Sequence, residues 1–329
     1  ASCLSAISVF IFCCSFVGIG QAKHLTCGSV PAIVASLVAG HISASTDKPR
    51  LLDNFLENYI DSIDVQKTYF VAHDIQEFKS NYDPDIILEL FNHSVRPRCD
   101  IAYSILNTFN QRYMDAHHFI LGLSEKDFSF EKDHIVDFDY KEYPQDIEQS
   151  HARLKSIIKL QIFNLLLDKV DKKIAVERVL NGYKYKYNRI KKQLKNKEKF
   201  QQSTKQKALT LLLNSFSRSL DPHTAYMSPD EFDASNDSIN MELTGIGATL
   251  SNSHGLIKVE SLIEGGPADS ADSGNKIEPG DVILEVAQGL NGEFEDVRGV
   301  DISDAVKLIK GRKGTLVQLK IERLQDSDK

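Results

Sequence analysis

The feature of the sequence that most constrains the fold is a change of pattern near residue 235. Up to Phe232, apolar residues recur at spacings of three and four, which predicts helices. After Ser235, short apolar runs stand between glycines, as in strands of a small β-rich domain: ATL, LIKVESLI, DVILEV and TLVQLKI. The sequence therefore predicts an α+β multidomain fold, in which a helical N-terminal domain precedes a small β-rich domain.

The length of 329 residues allows two domains, each with its own core. We place the helical domain at residues 23–235, the β-rich domain at 236–325 and a charged tail at 326–329. Within the helical domain the periodicity is clearest in four segments: Leu51–Ile63, Asp85–Phe91, Ile101–Phe119 and Leu154–Val170.

A basic stretch runs from Lys184 to Lys207, where ten Lys or Arg residues accompany one acid, Glu198. Such a stretch can contact nucleic acid or an anionic membrane. It can equally form one long solvated helix, whose buried seam would be Tyr183, Tyr187, Ile190 and Leu194. The net charge of -7 favours the solvated helix, and no aromatic residue is interleaved in a way that suggests base stacking, so we expect no nucleic-acid partner.

The first residues form an uncharged segment from Leu4 to Ile19. It is short for a membrane span, which needs about 20 residues. Small residues near Ala22 suit cleavage of a signal peptide over residues 1–22, and a single N-terminal membrane anchor is the alternative. Either interpretation predicts a periplasmic or otherwise exported chain. Because the chain begins with Ala and lacks a basic leader, we expect a truncated start.

The cysteines allow little chemistry. Cys3, Cys13 and Cys14 lie in the leader segment, which leaves Cys27 and Cys99 for at most one disulfide. Whether these two pair stays open at this point. Since the sequence has no Cys-x-x-Cys pair and His117-His118 suits packing on a helix, we predict neither a metal nor another cofactor.

The most informative short segment is Thr244-Gly245-Ile246-Gly247-Ala248. A glycine-rich turn can bind a phosphate, but the P-loop Lys-Ser/Thr is absent and no G-x-G-x-x-G follows a strand here. It can also be a structural turn. A third possibility is the carboxylate-binding loop of a PDZ domain, in which N–H groups point inward and the next strand offers its edge to a peptide.

The residues that follow favour the third possibility. In order along the chain they are Gly265-Gly266-Pro267-Ala268, residues 277–286 with the sequence IEPGDVILEV, residues 304–311 with DAVKLIKG, and residues 314–319 with GTLVQL. This order resembles a PDZ domain. The resemblance implies a peptide groove between the strand after the glycine loop and the second helix.

The PDZ resemblance assigns the peptide-binding residues. The carboxylate loop would be Gly245, Ile246, Gly247 and Ala248. On the helix, residues three and four apart share a face, which would present Ile302, Val306 and Ile309 to the peptide and turn Ala305 and Leu308 to the core. This groove is apolar where many PDZ domains place a histidine. We therefore predict small or aliphatic residues at the ligand's end, with no preference for Ser or Thr two residues back.

Further segments extend the resemblance to most of the chain after the leader: residues 56–60 (LENYI), 68–70 (TYF), 219–229 (SLDPHTAYMSP) and 245–248 (GIGA). With them the chain resembles the tail-specific proteases, also called C-terminal processing peptidases. The resemblance implies a helical domain and a PDZ domain beside a serine protease domain with a Ser-Lys dyad. Such enzymes work in the periplasm or at an equivalent surface, on proteins whose nonpolar C-termini the PDZ domain holds.

The chain departs from this family pattern where it stops, at Lys329, shortly after the last predicted strand. The segment for the nucleophilic serine and its lysine base is not in the sequence, so we predict no catalytic residue here. Ser219, Asp221 and His223 lie close in sequence, but we expect them to cap a helix and form a turn.

Two functions therefore remain. The chain is the substrate-recognition portion of a tail-specific serine endopeptidase, or it is a stand-alone secreted PDZ adaptor without catalytic activity. In both cases the expected partners are C-terminal peptides of unfolded or tagged proteins. Membrane association through the N-terminal segment and a homodimer are further expectations, the second implied by the family.

Overall fold

The computed structural model describes residues 25–40, 48–82, 99–130, 140–221, 223–229, 231–232, 245–270, 276–311 and 314–323, with the backbone alone for residues 40 and 48–54. The leader segment, the predicted helix Asp85–Phe91, the predicted domain boundary near residue 235 and the charged tail lie outside these ranges. Within them, no helix is both long and apolar enough to span a bilayer.

The N-terminal part is helical, as the apolar spacing predicted. Short 3-10 turns form at Cys27–Ser29 and Glu125–Asp127. The α-helices described here are α1 (Val30–Gly40), α2 (Lys48–Ile63), α3 (Ala72–Asn81), α4 (Asp100–Leu121), α5 (Ile147–Leu167), α6 (Lys172–Leu194) and α7 (Lys197–Leu220).

Two apolar cores hold these helices together, and α4 contributes to both. The first joins α1, α2, α4 and α7; its largest members include Phe55, Tyr59, Leu106 and Phe216. The second joins α4, α5 and α6 through Ile120, Ile158, Ile162 and Val179. The buried Tyr59 hydroxyl donates a hydrogen bond to the Ala102 carbonyl at 2.9 Å, so this polar group is satisfied inside the first core.

The basic stretch is two helices and not one, so the prediction of a continuous helix from Lys184 to Lys207 was wrong. Helix α6 ends at Leu194 and α7 begins at Lys197. The side-chain oxygen of Asn196 accepts a hydrogen bond from the Lys199 N–H at 3.1 Å, which is the contact of an N-cap. The break turns α7 back along the bundle, where it packs against α2.

Cys27 and Cys99 form a disulfide with their Cα atoms 6.0 Å apart, which answers the question of pairing that the sequence left open. Cys99 is buried and stands immediately before α4. The bond therefore fastens the segment that leads into α1 to the start of α4.

The C-terminal part is a small antiparallel sheet with one described α-helix. Its elements are β1 (Ala248–Ser253), β2 (Leu256–Leu262), β3 (Val282–Gln288), β4 (Glu295–Asp296), α8 (Ile302–Ile309) and β5 (Val317–Glu322). The strand order is β1-β2-β3-β4, and β5 pairs with β3. The predicted fold class, a helical domain followed by a small β-rich domain, is confirmed. The sequence also predicts a short helix that opens at Pro267-Ala268, whereas the described residues 264–270 form turns.

Candidate peptide-binding site

The glycine loop is held by its carbonyl groups. The Ile246 carbonyl accepts from the Ala268 N–H, and the Gly247 carbonyl accepts from the Ile263 N–H, each at 2.8 Å. Gly247 has φ +74°, and a Cβ there would lie 3.1 Å from the Gly266 Cα, so position 247 requires glycine.

The backbone N–H groups of this loop are the groups that can bind a ligand. Among the described residues, none accepts a hydrogen bond from the N–H of Gly245, Ile246 or Gly247. Consecutive N–H groups without internal acceptors can bind an anion, and a carboxylate gives the strong, charge-assisted form of the bond.

Strand β1 continues directly from the loop and lies at an edge of the sheet. Of the described strands it pairs only with β2, so its other edge is open to an added strand. Ala248 and Leu250 are half-buried and pack on the core below α8. Leu250 was missed from the sequence, although the period of two from Ala248 could have indicated it.

Helix α8 begins at Ile302 and forms the opposite wall. Ile302 and Val306 are half-buried, whereas Ala305 and Ile309 belong to the core, Ile309 with only 3% of its surface exposed. Positions 305 and 309 are four residues apart and both face the sheet, which explains the burial of Ile309. The structure thus brings Ile302 and Val306 to the accessible wall and places Ile309 beneath it; its contact with a ligand stays a prediction.

One hydrogen bond fixes the direction of α8 relative to β1. The Asn252 side-chain amide donates to the carbonyl of Val300, just before α8, at 2.9 Å. The start of α8 therefore lies beside the far end of β1, away from the glycine loop. A ligand whose carboxylate lies at residues 245–247 would run along β1 toward Asn252 and Ser253.

Beyond that far end, α6 of the helical domain touches the sheet directly. The β1–β2 connection is a two-residue turn, His254 and Gly255, with φ of 53° and 78°. Gly182 of α6 faces this turn: a Cβ at position 182 would overlap the His254 carbonyl oxygen and lie 2.8 Å from its carbonyl carbon. A second close approach joins Gly299 to α6, since a Cβ at position 299 would lie 2.7 Å from the Lys186 nitrogen.

Polar contacts surround this docking of α6 on the sheet. Arg189 donates to the Asp296 carbonyl at 3.1 Å, and the Arg298 guanidinium lies over the Tyr185 ring, 5.5 Å from its centroid. Burial raises the pKa of the Asp296 carboxyl, but hydrogen bonds from Arg298 outweigh it and hold that pKa below its usual value. This contact was not predicted; its one signal in the sequence was a glycine, Gly182, inside a helical pattern.

The Ser219, Asp221 and His223 group makes the contacts of a turn. The Asp221 carboxylate accepts from the His223 backbone N–H at 2.7 Å and from the Thr224 hydroxyl. The Ser219 hydroxyl donates to the Ser215 carbonyl one turn back. Ser228 accepts from the Glu231 N–H at 3.3 Å, as an N-cap does.

His117 and His118 have different environments on α4. His118 is exposed, whereas His117 is buried with its Nδ1 2.9 Å from the Tyr113 carbonyl. The His117 Nε2 has no hydrogen-bond partner among the described residues, and burial lowers its pKa to about 4. Within the described ranges, no three His, Cys, Asp or Glu side chains are placed to hold a metal ion.

Together, the open strand edge, the loop of N–H groups and the apolar helix wall define a PDZ domain joined to a helical domain. The family model described as "Tail specific protease N-terminal domain" matches residues 33–230, and the PDZ domain model matches residues 237–322. The chain therefore belongs to the tail-specific, or C-terminal processing, protease family. Its PDZ domain is therefore one that occurs in a family of proteases.

Known relatives are similar to different shares of this chain. The tail-specific protease of Haemophilus influenzae is 31% identical over 281 residues, which are 84% of this chain and 38% of the relative. The carboxy-terminal processing protease CtpA of Bacillus subtilis is 32% identical over 139 residues, 42% of this chain and 28% of the relative. This chain thus spans well under half the length of these two relatives.

A solved PDZ domain, from a carboxy-terminal protease of Vibrio cholerae in complex with a peptide, is 36% identical to this chain. It covers 26% of this chain and 85% of its own length, with a TM-score of 0.24.

Proposed function

We propose that this chain is the substrate-recognition portion of an exported tail-specific serine endopeptidase, and that it binds the apolar C-termini of target proteins between β1 and α8. The observation that carries the proposal is the glycine loop, whose carbonyls are bonded inward while the N–H groups of residues 245–247 find no acceptor in the described part of the chain and can serve a ligand. The open edge of β1 leads directly from these N–H groups, so one peptide can use both.

The mode of binding follows from the two walls of the groove. The ligand's carboxylate would accept from the loop N–H groups, and its main chain would pair with β1 as an added strand. The last side chain would lie against the half-buried Ile246 and Val306, and the side chain two residues back would lie against Leu250 and Ile302. Main-chain pairing gives affinity with little sequence preference, so the apolar pocket would supply the selection for nonpolar ends.

Amidation of the ligand's C-terminus is expected to weaken binding at least about tenfold. A hydrogen bond to a charged group contributes roughly 1.5–3 kcal/mol, and an amide removes that charge. Fluorescence anisotropy with two labelled peptides that differ only in the free acid or amide would measure the effect. A Gly247→Val variant is the matched control and should lose the preference. Equal affinity of acid and amide for the natural chain would contradict carboxylate binding by the loop.

Replacing Ile302 by histidine is expected to create a preference that the natural groove lacks. A ring nitrogen at the start of α8 could bond a Ser or Thr hydroxyl two residues before the ligand's end. One such bond is worth roughly 0.5–1.5 kcal/mol, or about twofold to twelvefold in affinity. Ser303→His, one position along on the exposed side of α8, should leave binding unchanged. A natural chain that already prefers Ser or Thr there would refute the predicted aliphatic selectivity.

Export and association with a protease domain are part of the same proposal. The Cys27–Cys99 disulfide supports export, because such bonds persist in oxidising compartments. The relatives named as tail-specific and processing proteases support the link to proteolysis. An antibody against this chain, applied to fractionated cells, should detect a much larger exported protein. A species of this chain's own size would favour the stand-alone adaptor.

A further inference from the structure

A large cleft of about 1280 Å³ lies between the helical domain and the start of α8. Its walls come mainly from α4, α6 and α7. On the other side it is lined by Gly299, Val300, Asp301 and Asp304, the residues that lead into α8 and form its first turn. The cleft therefore opens where the peptide groove ends.

The direction of the groove aims a bound chain at this cleft. With its carboxylate at the glycine loop, a ligand would pair with the six residues of β1 and extend about 20 Å, at roughly 3.4 Å per residue. The upstream end of this paired segment would pass Asn252 and Val300, which are hydrogen-bonded to each other at 2.9 Å. At that point α6 blocks a straight path, because Gly182 abuts the turn at His254.

A second, smaller cleft of about 490 Å³ also borders α6, but it is less well placed. It is lined by the last residues of β1 (Ser251, Asn252 and Ser253), by the β1–β2 turn and by Glu260 of β2, so it lies beside the hairpin, and no residue of α8 lines it. The larger cleft alone reaches the first turn of α8, whose Ile302 begins the wall of the groove.

The larger cleft is built to hold apolar side chains. Half-buried residues on three helices line it: Phe109, Met114, Ile190, Leu194, Phe200 and Leu211. The charged residues around them include the cations Lys186, Lys197 and Lys207 and the acids Asp115, Asp301 and Asp304. With both signs present, the apolar wall and not net charge sets the preference.

We propose that this cleft is a second binding site for the same ligand, and that it receives the residues upstream of those paired with β1. This inference rests on the proposed function. It names the substrate class: an unstructured C-terminal tail considerably longer than six residues, with apolar side chains in its upstream part. A folded protein with only a short free tail would reach the glycine loop but not the cleft, and would bind weakly.

Two peptides with the same six C-terminal residues test this. One ends there, and the other continues upstream for eight more residues that include leucine and phenylalanine. The longer peptide is expected to bind the full chain about tenfold more tightly. A benzophenone at its eighth or ninth residue from the end should cross-link to α4 or α7, with Met114 and Phe200 as the expected positions by mass spectrometry.

A protein variant with a bulky side chain in the larger cleft complements the comparison of the two peptides. Gln193 is exposed on α6 and lines the cleft, so Gln193→Trp should reduce the longer peptide to the affinity of the shorter one and leave the shorter one unchanged. Lys184→Trp, exposed on the same helix but lining neither cleft, is the control and should change neither affinity.

The outcomes separate this inference from the proposed function. If the shorter peptide binds and the longer one binds no better, without cross-links to α4 or α7, the cleft does not hold the ligand and the groove proposal stands. If neither peptide binds, the groove proposal itself fails, and this inference fails with it. Cross-links confined to the small cleft beside Glu260 would also overturn it.

Discussion

Replacing Cys27 and Cys99 together by alanine is expected to lower the free energy of unfolding of the helical domain by about 4 kcal/mol. The bond closes a loop with a sequence separation of 72 residues, and chain entropy in the unfolded state gives a cost of that size for removing it. Alanine suits position 99, which is buried, because serine would place a hydroxyl in the apolar core.

Urea unfolding followed by circular dichroism would measure this effect. The natural chain should lose a similar amount of stability in dithiothreitol, while the double-alanine variant should not respond to the reductant. A background with Cys3, Cys13 and Cys14 replaced by serine controls for other thiols. A loss below about 1 kcal/mol would show that the bond adds little to the packing of α1 on the bundle.

The second large effect is expected on acidification and comes from His117. Its folded-state pKa is lowered to about 4 from the usual 6.5, mainly by burial. Between these values the unfolded chain takes up a proton that the folded chain does not, so stability falls as the pH falls from 6.5 to 4. This proton uptake lowers the free energy of unfolding by about 3 kcal/mol in total, and the loss is absent well above pH 6.5.

Since carboxylates also titrate in this range, the test compares variants over the same pH series. His117→Leu should remove most of the slope between pH 6.5 and 4.5, whereas His118→Gln, at the exposed neighbouring position, should keep it. The ring of His117 packs 4.0 Å from that of Tyr113 and 5.8 Å from that of Tyr183, so leucine keeps an apolar neighbour for both. Identical slopes in the natural chain and His117→Leu would disprove the assignment.

The helices were predictable where one apolar face is regular. Residues such as Phe55, Leu56, Tyr59 and Ile60 recur at the helical spacing, and all four are buried in the first core. The break between α6 and α7 was not predictable in the same way. Asn196 stands among lysines and glutamines, where one more polar residue gives no periodic signal, and its role as a cap appears only in the hydrogen bond to Lys199.

The candidate site was predictable only where local sequence patterns determine its structure. The glycine loop and the start of α8 at Ile302 follow from local sequence, since glycine spacing and helix starts are local properties. The burial of Ile309 depends on how α8 meets the sheet, which is a tertiary property. The cleft and the docking of α6 bring together residues more than a hundred positions apart, such as Lys186 and Gly299, and no local pattern encodes their proximity.

The contact between Gly182 and the turn at His254 and Gly255 has a consequence for how such chains can be recombined. A different PDZ domain could be grafted onto this helical domain with its ligand pocket freely altered, provided that it kept a two-residue turn between its first two strands and a glycine at position 299. Insertion of even one residue in that turn would meet the backbone of α6. The ligand specificity and the contact between the two domains can therefore change independently in this chain. The first depends on the start of β1 and the second on its end.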